Sequence, residues 1–272
     1  MSLPRRNPLL PEGINASQEH PLKEFAWLLA ALLLLLALAI AGIGLAVRHL
    51  APLLPFALEQ RVLPANWLAS DSSENHEQQQ ALQALADRLT AATPLPDGMR
   101  ISVHYLDDDT ANAFATLGGH VFVMQGLLDQ LDSENALAMV LAHEIAHIRH
   151  RHPIQSLSQG IVLQLLLAAI TGNSGAMQAL AGSSGLMAMA SFSRDMEREA
   201  DAGALQMLQA LYGHTRGAET FFTRLLEQQD DAEWAAFLQS HPGIRERLAT
   251  IRNSQQDEGG LTPLPAALAP AL

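Results

Sequence analysis

The chain has 272 residues, of which 49% are hydrophobic, and it carries a formal charge of −12 at pH 7. This length allows one good-sized domain with an appendage, and the acidic balance leaves no basic stripe to neutralise phosphates, so we predict no nucleic-acid partner. The absence of cysteine excludes disulfides, a thiol nucleophile and cysteine-type zinc sites, so that a metal here must be held by His, Asp or Glu.

The N-terminal region predicts a tail followed by a membrane anchor. Residues 1–22 are rich in proline and polar residues without periodicity, which indicates a flexible tail. Residues 23–49 contain an uncharged apolar run of roughly 23 residues, and about 20 suffice to cross a bilayer as a helix. Trp27 fits the interfacial belt, while Lys23 and Arg48 are placed to reach the headgroups. The length and late start of the run disfavour a buried core helix and a cleaved signal peptide.

The basic residues around the anchor set its predicted orientation. Arg5, Arg6 and Lys23 precede the run, whereas Arg48 and Arg61 follow it. The positive-inside rule then favours a cytoplasmic N-terminus. We therefore expect a single-pass protein of a bacterial inner membrane whose larger, C-terminal part faces the periplasm.

The chain beyond the anchor predicts a mainly α fold with a small β-sheet (α+β). Residues 50–74, punctuated by prolines, indicate a connector, and a domain of residues 75–253 follows. It opens with a predicted helix over 75–91. Residues 100–106 alternate polar and apolar side chains, which is the period-2 signature of a half-buried strand. A β-hairpin is predicted over 111–124, where two apolar segments flank a Gly-Gly pair.

The next predicted helix contains an H-E-x-x-H sequence formed by His143, Glu144 and His147. Residues four apart lie on the same face of a helix, so both imidazoles can point at one metal ion with Glu144 beside them. This pattern is typical of zinc peptidases. Pro153 is expected to stop the helix.

Residues 154–193 contain no Asp, Glu, Lys or Arg. Two apolar stretches within it are each shorter than a normal membrane span. We predict an apolar helical hairpin that is buried or rests on the membrane, with a re-entrant or spanning pair as the lesser alternative. The remainder is predicted to be helical to about residue 253, and residues 254–272 to be a disordered tail.

A site with two histidine ligands needs a third protein ligand. One large peptidase class extends the pattern to H-E-x-x-H-x-x-G-x-x-H, but His150 and Pro153 stand at the last two fixed positions and exclude it. The other common solution is a Glu followed four residues later by an Asp, available here as Glu197 and Asp201. Glu197 would complete the ligands, and Asp201 would accept the outer N–H of a ligand histidine. Glu199 is the competing ligand, and a solvated face of ion pairs is the alternative interpretation.

These motifs resemble those of the HtpX-like zinc metallopeptidases (metallopeptidase family forty-eight), which also contain the CAAX prenyl endopeptidases and several periplasmic quality-control proteases. The resemblance covers roughly residues 75–252 and implies a mostly helical gluzincin-type catalytic domain with one Zn²⁺ per chain. It rests on Asn112–Ala115, Gly118–Val123, His143–His147, Ser193–Asp201, and His241-Pro242 with Arg247.

The resulting hypothesis is a membrane-anchored zinc endopeptidase acting on polypeptides beside a lipid bilayer. Zinc would be held by His143, His147 and Glu197 with a water in the fourth position, and Glu144 would act as general base. The resemblance implies misfolded or misassembled membrane and envelope proteins as substrates. A membrane-bound chaperone-like or scaffold protein with a latent or structural zinc site is the alternative, and a hydrolase of non-peptide substrates is a third.

The resemblance also assigns residues around the metal. Asn112, Ala113 and Phe114 match the strand with which this family binds the substrate backbone as an added strand. His241 is expected near the metal, either stabilising the oxyanion or blocking the open position, unless it lies at a surface helix N-terminus. His152 is interpreted as favouring the negative end of the H-E-x-x-H helix.

Overall fold

The computed structural model describes residues 21–50, 53–62, 75–157, 192–227, 234–254 and 259–269. The predicted N-terminal tail, much of the connector and almost all of the apolar hairpin at 154–193 lie outside the described residues. The chain divides into two units, Met1–Ile43 and Gly44–Leu272, and each is described by itself.

The first unit contains most of helix α1, Pro21–Leu50. Within this helix, Leu22–Ala46 is a 25-residue stretch that is long and apolar enough to cross a membrane. Its large side chains, including those of Leu28 and Leu35, are exposed. Transfer of apolar side chains out of water lowers their free energy, so the helix fits the single-pass anchor predicted for residues 23–49.

The second unit has the mainly α architecture with a small sheet that the sequence predicts. Its strands are β1 (Ser102–Leu106), β2 (Ala113–Ala115) and β3 (His120–Met124). Its helices are α2 (Phe56–Val62), α3 (His76–Ala92), α4 (Gln125–Leu128), α5 (Glu134–Arg149), α6 (Arg194–Tyr212), α7 (Ala218–Glu227), α8 (Ala235–Ser240) and α9 (Ile244–Asn253).

The three strands form one mixed sheet in the order β1-β3-β2. Strands β1 and β3 are parallel, whereas β2 and β3 are antiparallel, which confirms the predicted hairpin. The turn between β2 and β3 requires glycine at Gly119, which has a φ of 91°. A Cβ at that position would lie 2.0 Å from the carbonyl oxygen of Arg100.

The outer edge of β1 is closed by two glutamine side chains of α3. The N–H of Val103 donates to Gln83 Oε1 at 2.9 Å, and the N–H of Tyr105 donates to Gln79 Oε1 at 2.9 Å. Gln83 Nε2 in turn donates to the carbonyl oxygen of Ile101 at 3.2 Å. The glutamines satisfy the strand as a fourth strand would, so β2 is the sheet edge that remains for another segment.

Helix α5 is the centre of the domain and is buried along almost its whole length. Ser133 caps it by accepting a hydrogen bond from the N–H of Ala136. The prediction that Pro153 stops this helix is wrong, because α5 already ends at Arg149 and Pro153 lies in the first turn of a helical segment at 152–157. Proline is favoured there, since the first turn needs no N–H donor.

A buried ion pair fastens α2 to the turn that follows α5. Arg151, whose φ is 61°, donates from Nε to Glu59 Oε1 at 2.8 Å and from Nη2 to the carbonyl oxygen of Leu54 at 3.0 Å. Glu59 also accepts from the N–H of Gly118 in the β2–β3 turn. Helix α2 is therefore part of the domain, although the sequence indicates only a connector there.

The C-terminal residues 259–269 are ordered against the domain, which corrects the predicted disordered tail at 254–272. The N–H of Glu134 donates to the carbonyl oxygen of Thr262 at 2.8 Å, and the N–H of Thr262 donates to Asn135 Oδ1 at 2.7 Å. Leu268 is buried in the core. Composition misses this segment because it is held by the otherwise unsatisfied N–H of Glu134 and by the side chain of Asn135 at the start of α5.

Candidate metal centre

Two packed helices bring the predicted ligands together. His143 and His147 are one turn apart on α5, and their Nε2 atoms lie 3.0 Å from each other. Helix α6 approaches α5 closely at Gly203, where an added Cβ would lie 2.9 Å from the Cβ of Ala146. This approach carries the carboxylate of Glu197 to both imidazoles.

Glu197 and the two histidines have the spacing of a tetrahedral zinc site. Glu197 Oε2 lies 3.5 Å from His143 Nε2, and Glu197 Oε1 lies 3.4 Å from His147 Nε2. Ligand atoms about 2.0–2.1 Å from a tetrahedral zinc are about 3.3 Å apart, so these donors suit that ion. Glu199, the competing ligand from the sequence, is exposed and lies outside this group.

The charge of the pocket also suits a divalent cation. With the imidazoles neutral, as a metal-bound state requires, the ionised carboxylates of Glu144, Glu197 and Asp201 face a single guanidinium, that of Arg247, which leaves two negative charges in a buried space. Among the described residues, neither oxygen of Glu144 has a hydrogen-bond partner, nor does Nε2 of His241. Uncompensated buried charge is costly, and a divalent cation with its water would offset it.

The pKa values of the ligands reflect this demand for positive charge. Burial alone would raise the pKa of Glu197, but His241, His143 and His147 hold it well below its usual range. Burial and Arg247 would lower the pKa of His143, yet Asp201 and Glu197 raise it above the ordinary value. The raised pKa means that His143 carries a second proton near neutral pH. A metal ion that binds here would displace this proton, because a coordinating imidazole must be neutral.

Asp201 contacts the outer ring nitrogen of His143, the first predicted ligand, and Arg247 binds Asp201. Asp201 Oδ1 lies 3.0 Å from His143 Nδ1. Arg247 Nε and Nη2 donate to the two oxygens of Asp201, each at 2.7 Å, and Arg247 also contacts Glu197. Asp201 is thus placed to accept the outer N–H of His143, and the guanidinium fork fixes the carboxylate. Arg247 appears in the sequence only as part of a motif, since its partners lie 46 and more residues away.

Glu144 points into the same pocket and is fully buried. Burial raises the pKa of its carboxyl, although His241 and His143 act in the opposite direction. A carboxyl with a raised pKa is suited to take up and release a proton near neutral pH.

His241 lies beside the ligands, which excludes the surface position considered from the sequence. Its side chain is fully buried, and Nδ1 is 3.1 Å from Glu197 Oε1 and 3.3 Å from His143 Nε2. Its ring stacks on Phe237 with centroids 4.4 Å apart. His241 therefore offers a third nitrogen, and a fourth ligand atom, at the same spacing as the three predicted ligands.

Two further residues near the centre were not predicted as site residues. Phe192 stacks on the ring of His147 with centroids 3.8 Å apart. His152, interpreted from the sequence as favouring the negative end of the helix, instead lies 2.9 Å from His147, Nδ1 to Nδ1. Neither residue belongs to a local pattern with the ligands, so only the fold could place them.

The predicted substrate strand packs beside this pocket. Ala113 and Phe114 belong to β2, and Asn112 precedes it with its carbonyl oxygen accepting from the N–H of Met124. Asn112 Oδ1 is buried and, within the described part of the chain, has no hydrogen-bond partner. An acceptor of this kind is available to a ligand that enters along the strand.

Comparison with known proteins finds one matching family. Residues 74–255 match the family described as Peptidase family M48. The β-barrel assembly-enhancing protease of Escherichia coli (strain K12) is 33% identical over 161 residues, which cover 54% of this chain and 33% of that protein. The mitochondrial metalloendopeptidase OMA1 of Schizosaccharomyces pombe is 32% identical over 168 residues, which cover 60% of this chain and 49% of that protein.

A third relative, the mitochondrial metalloendopeptidase OMA1 of Arabidopsis thaliana, is 28% identical over 207 residues, or 75% of this chain and 39% of that protein. The matched region thus spans between a third and a half of the length of these relatives. The family match at residues 74–255 contains the candidate metal centre and both of its helices.

Proposed function

The chain belongs to Peptidase family M48, and on that premise we propose that it is a membrane-anchored zinc-dependent endopeptidase. The observation that carries this proposal is the buried set of His143, His147 and Glu197 at zinc-like spacing, with Glu144 beside it. A purely structural zinc site has no need of a further buried carboxylate beside its ligands.

The proposed mechanism is hydrolysis of a peptide bond by water. A bound zinc ion supplies Lewis-acid activation of the water and of the scissile carbonyl. Glu144 takes the proton of the attacking water and then delivers it to the leaving amine. Asp201 accepts the N–H of His143 and is itself fixed by Arg247, which keeps that imidazole oriented throughout.

We propose that the substrate backbone adds to the outer edge of β2, a strand that is itself buried. Gln79 and Gln83 close the opposite edge of the sheet, so among the described strands the edge left for a peptide is the one at Asn112, Ala113 and Phe114. Pairing of this kind reads main-chain groups, which suits a protease of broad sequence preference.

The proposed substrates are misfolded or misassembled membrane and envelope proteins. This follows the resemblance to quality-control proteases and the name of the Escherichia coli relative, which is a β-barrel assembly-enhancing protease. The test is cleavage of unfolded casein by the purified full-length protein in detergent, with Glu144→Gln as the matched control. Equal cleavage by both proteins would refute the mechanism, and no cleavage by either would favour a chaperone-like or scaffold function.

We further propose that the larger part of the protein faces the periplasm from a bacterial inner membrane. A reporter fused after residue 272 that is active only outside the cytoplasm is the expected result. Activity confined to the cytoplasmic side would reverse the orientation inferred from the basic residues around α1.

His241 is proposed to hold the centre in a latent state, because its Nδ1 lies where a water or substrate oxygen would approach the ligands. Replacing His241 with alanine should raise the rate of casein cleavage by about tenfold if only ~10% of molecules are open at a time. Zinc content should stay at one per chain. Loss of cleavage in His241→Ala with zinc retained would instead assign His241 to oxyanion stabilisation.

A further inference from the structure

A second group of side chains lies directly behind the ligand His147. His152 Nδ1 is 2.9 Å from His147 Nδ1, and on the other side of its ring His152 Nε2 is 3.1 Å from Glu199 Oε2. His152 is 1% exposed, whereas Glu199 reaches solvent. His150 stacks on His152 and completes a group of three potential metal ligands.

Counting protons along this row fixes the tautomer of each ring. His147 directs Nε2 at Glu197 and His143, so when Nε2 binds a metal the single proton of the neutral ring is on Nδ1. Among the described residues, the atom at hydrogen-bond distance from that N–H is His152 Nδ1, which must therefore accept the proton. The proton of His152 is then on Nε2, where it donates to Glu199.

We propose that His152 is a positioning residue of the metal centre, which accepts the outer N–H of His147 and is itself anchored by Glu199. The inference rests on the zinc site of the proposed function. It gives the second ligand histidine a support equivalent to the one that Asp201 gives to His143, but from a neutral ring in place of a carboxylate.

The turn that carries His152 is built to hold it in place. Arg151, with its positive φ, directs its guanidinium to Glu59 and Leu54, so the backbone immediately before His152 is fastened to α2. Phe192 stacks on the face of His147 and lies 6.2 Å, centroid to centroid, from His152. The ring of His152 therefore has one side in the core and one edge towards Glu199.

The same proton count excludes a second cation at His150, His152 and Glu199 while the metal centre at His147 is occupied. A metal at His150, His152 and Glu199 would take Nε2 of His152 and move its proton to Nδ1. That proton would oppose the one on His147 Nδ1 across 2.9 Å, and two donors cannot share this distance. The group therefore holds a proton, and a cation there would have to break the contact with His147.

The experiment measures zinc affinity by competition with a chelator, using full-length protein that carries Glu144→Gln so that turnover plays no part. His152→Leu, which removes the acceptor and keeps the bulk, should weaken zinc binding by about 10–100-fold. His152→Asn should bind zinc within about threefold of the parent, because the asparagine oxygen takes nearly the place of Nδ1. His150→Ala, which touches the same group but not His147, should match the parent.

Three results would overturn the proposal: unchanged affinity in folded His152→Leu, equal loss in His152→Asn, or a loss in His150→Ala as large as in His152→Leu. If His152→Leu does not fold, Glu199→Leu and Glu199→Gln provide the comparison. Only the former should weaken zinc binding, since glutamine still accepts from His152. If the unaltered protein fails to cleave casein while the variants show these zinc affinities, the peptidase function is refuted and this inference stands.

Discussion

Replacing Glu144 with glutamine is expected to lower the rate of casein cleavage by on the order of 10²–10⁴-fold, the usual contribution of a positioned general base. Glutamine has nearly the same shape, but its amide cannot take a proton from water. A loss of 10³-fold corresponds to about 4 kcal/mol of activation free energy. Steady-state cleavage of a fluorogenic casein, followed at several pH values, measures the effect.

The control for Glu144→Gln is zinc content, which should remain one ion per chain because Glu144 is not among the spaced ligands. Its carboxylate oxygens have no hydrogen-bond partner among the described residues, so the amide should not disturb the fold. A variant that loses zinc along with activity would show that Glu144 acts in metal binding. A variant that keeps full activity would remove Glu144 from the mechanism.

The local part of the site could be predicted because helical geometry dictates it. His143 and His147 share a face of any helix, as do Glu197 and Asp201, so sequence spacing alone pairs them. The contact between the two pairs depends on the packing of α5 and α6, for which Gly203 against Ala146 is the structural reason. Sequence analysis inferred that contact from the need for a third protein ligand and from the Glu-x-x-x-Asp spacing, and the packing itself was not predicted.

The parts of the site that residue spacing alone does not predict depend on contacts formed by the fold. His241 and Arg247 reach His143 across about a hundred residues, and no periodicity links them. His152 lies only five residues from His147, yet a continuous helix would have turned it away from that ring. The break after Arg149, with Arg151 at positive φ, brings it back.

The fold class could be predicted from the sequence, but the side-chain contacts that cap the edge of the sheet could not. Alternation and the Gly-Gly pair predict β1 and the hairpin, because strand side chains repeat every two residues. Nothing in a glutamine-rich helix indicates that Gln79 and Gln83 close the edge of β1. That closure matters for the proposed function, because it leaves the outer edge of β2 as the proposed place for a peptide.

Replacing Glu197 with glutamine is expected to weaken zinc binding by more than the 10–100-fold typical of losing an outer partner, because it removes a charged direct ligand. With Glu197 ionised, the pocket holds two net negative charges, which a divalent cation neutralises. With glutamine, a bound zinc ion leaves one buried positive charge, and Arg247 loses an anionic partner. Zinc affinity by chelator competition and casein cleavage should fall together.

Glu199→Gln is the matched control, since it makes the same change two residues away on the same helix. Glu199 is exposed and contacts His152, for which glutamine still provides an acceptor, so zinc affinity should remain close to that of the unaltered protein. If Glu199→Gln lost zinc and Glu197→Gln kept it, the third ligand would be Glu199. The buried Glu197 between two imidazoles would then be a structural carboxylate, and the general base would act beside a differently placed ion.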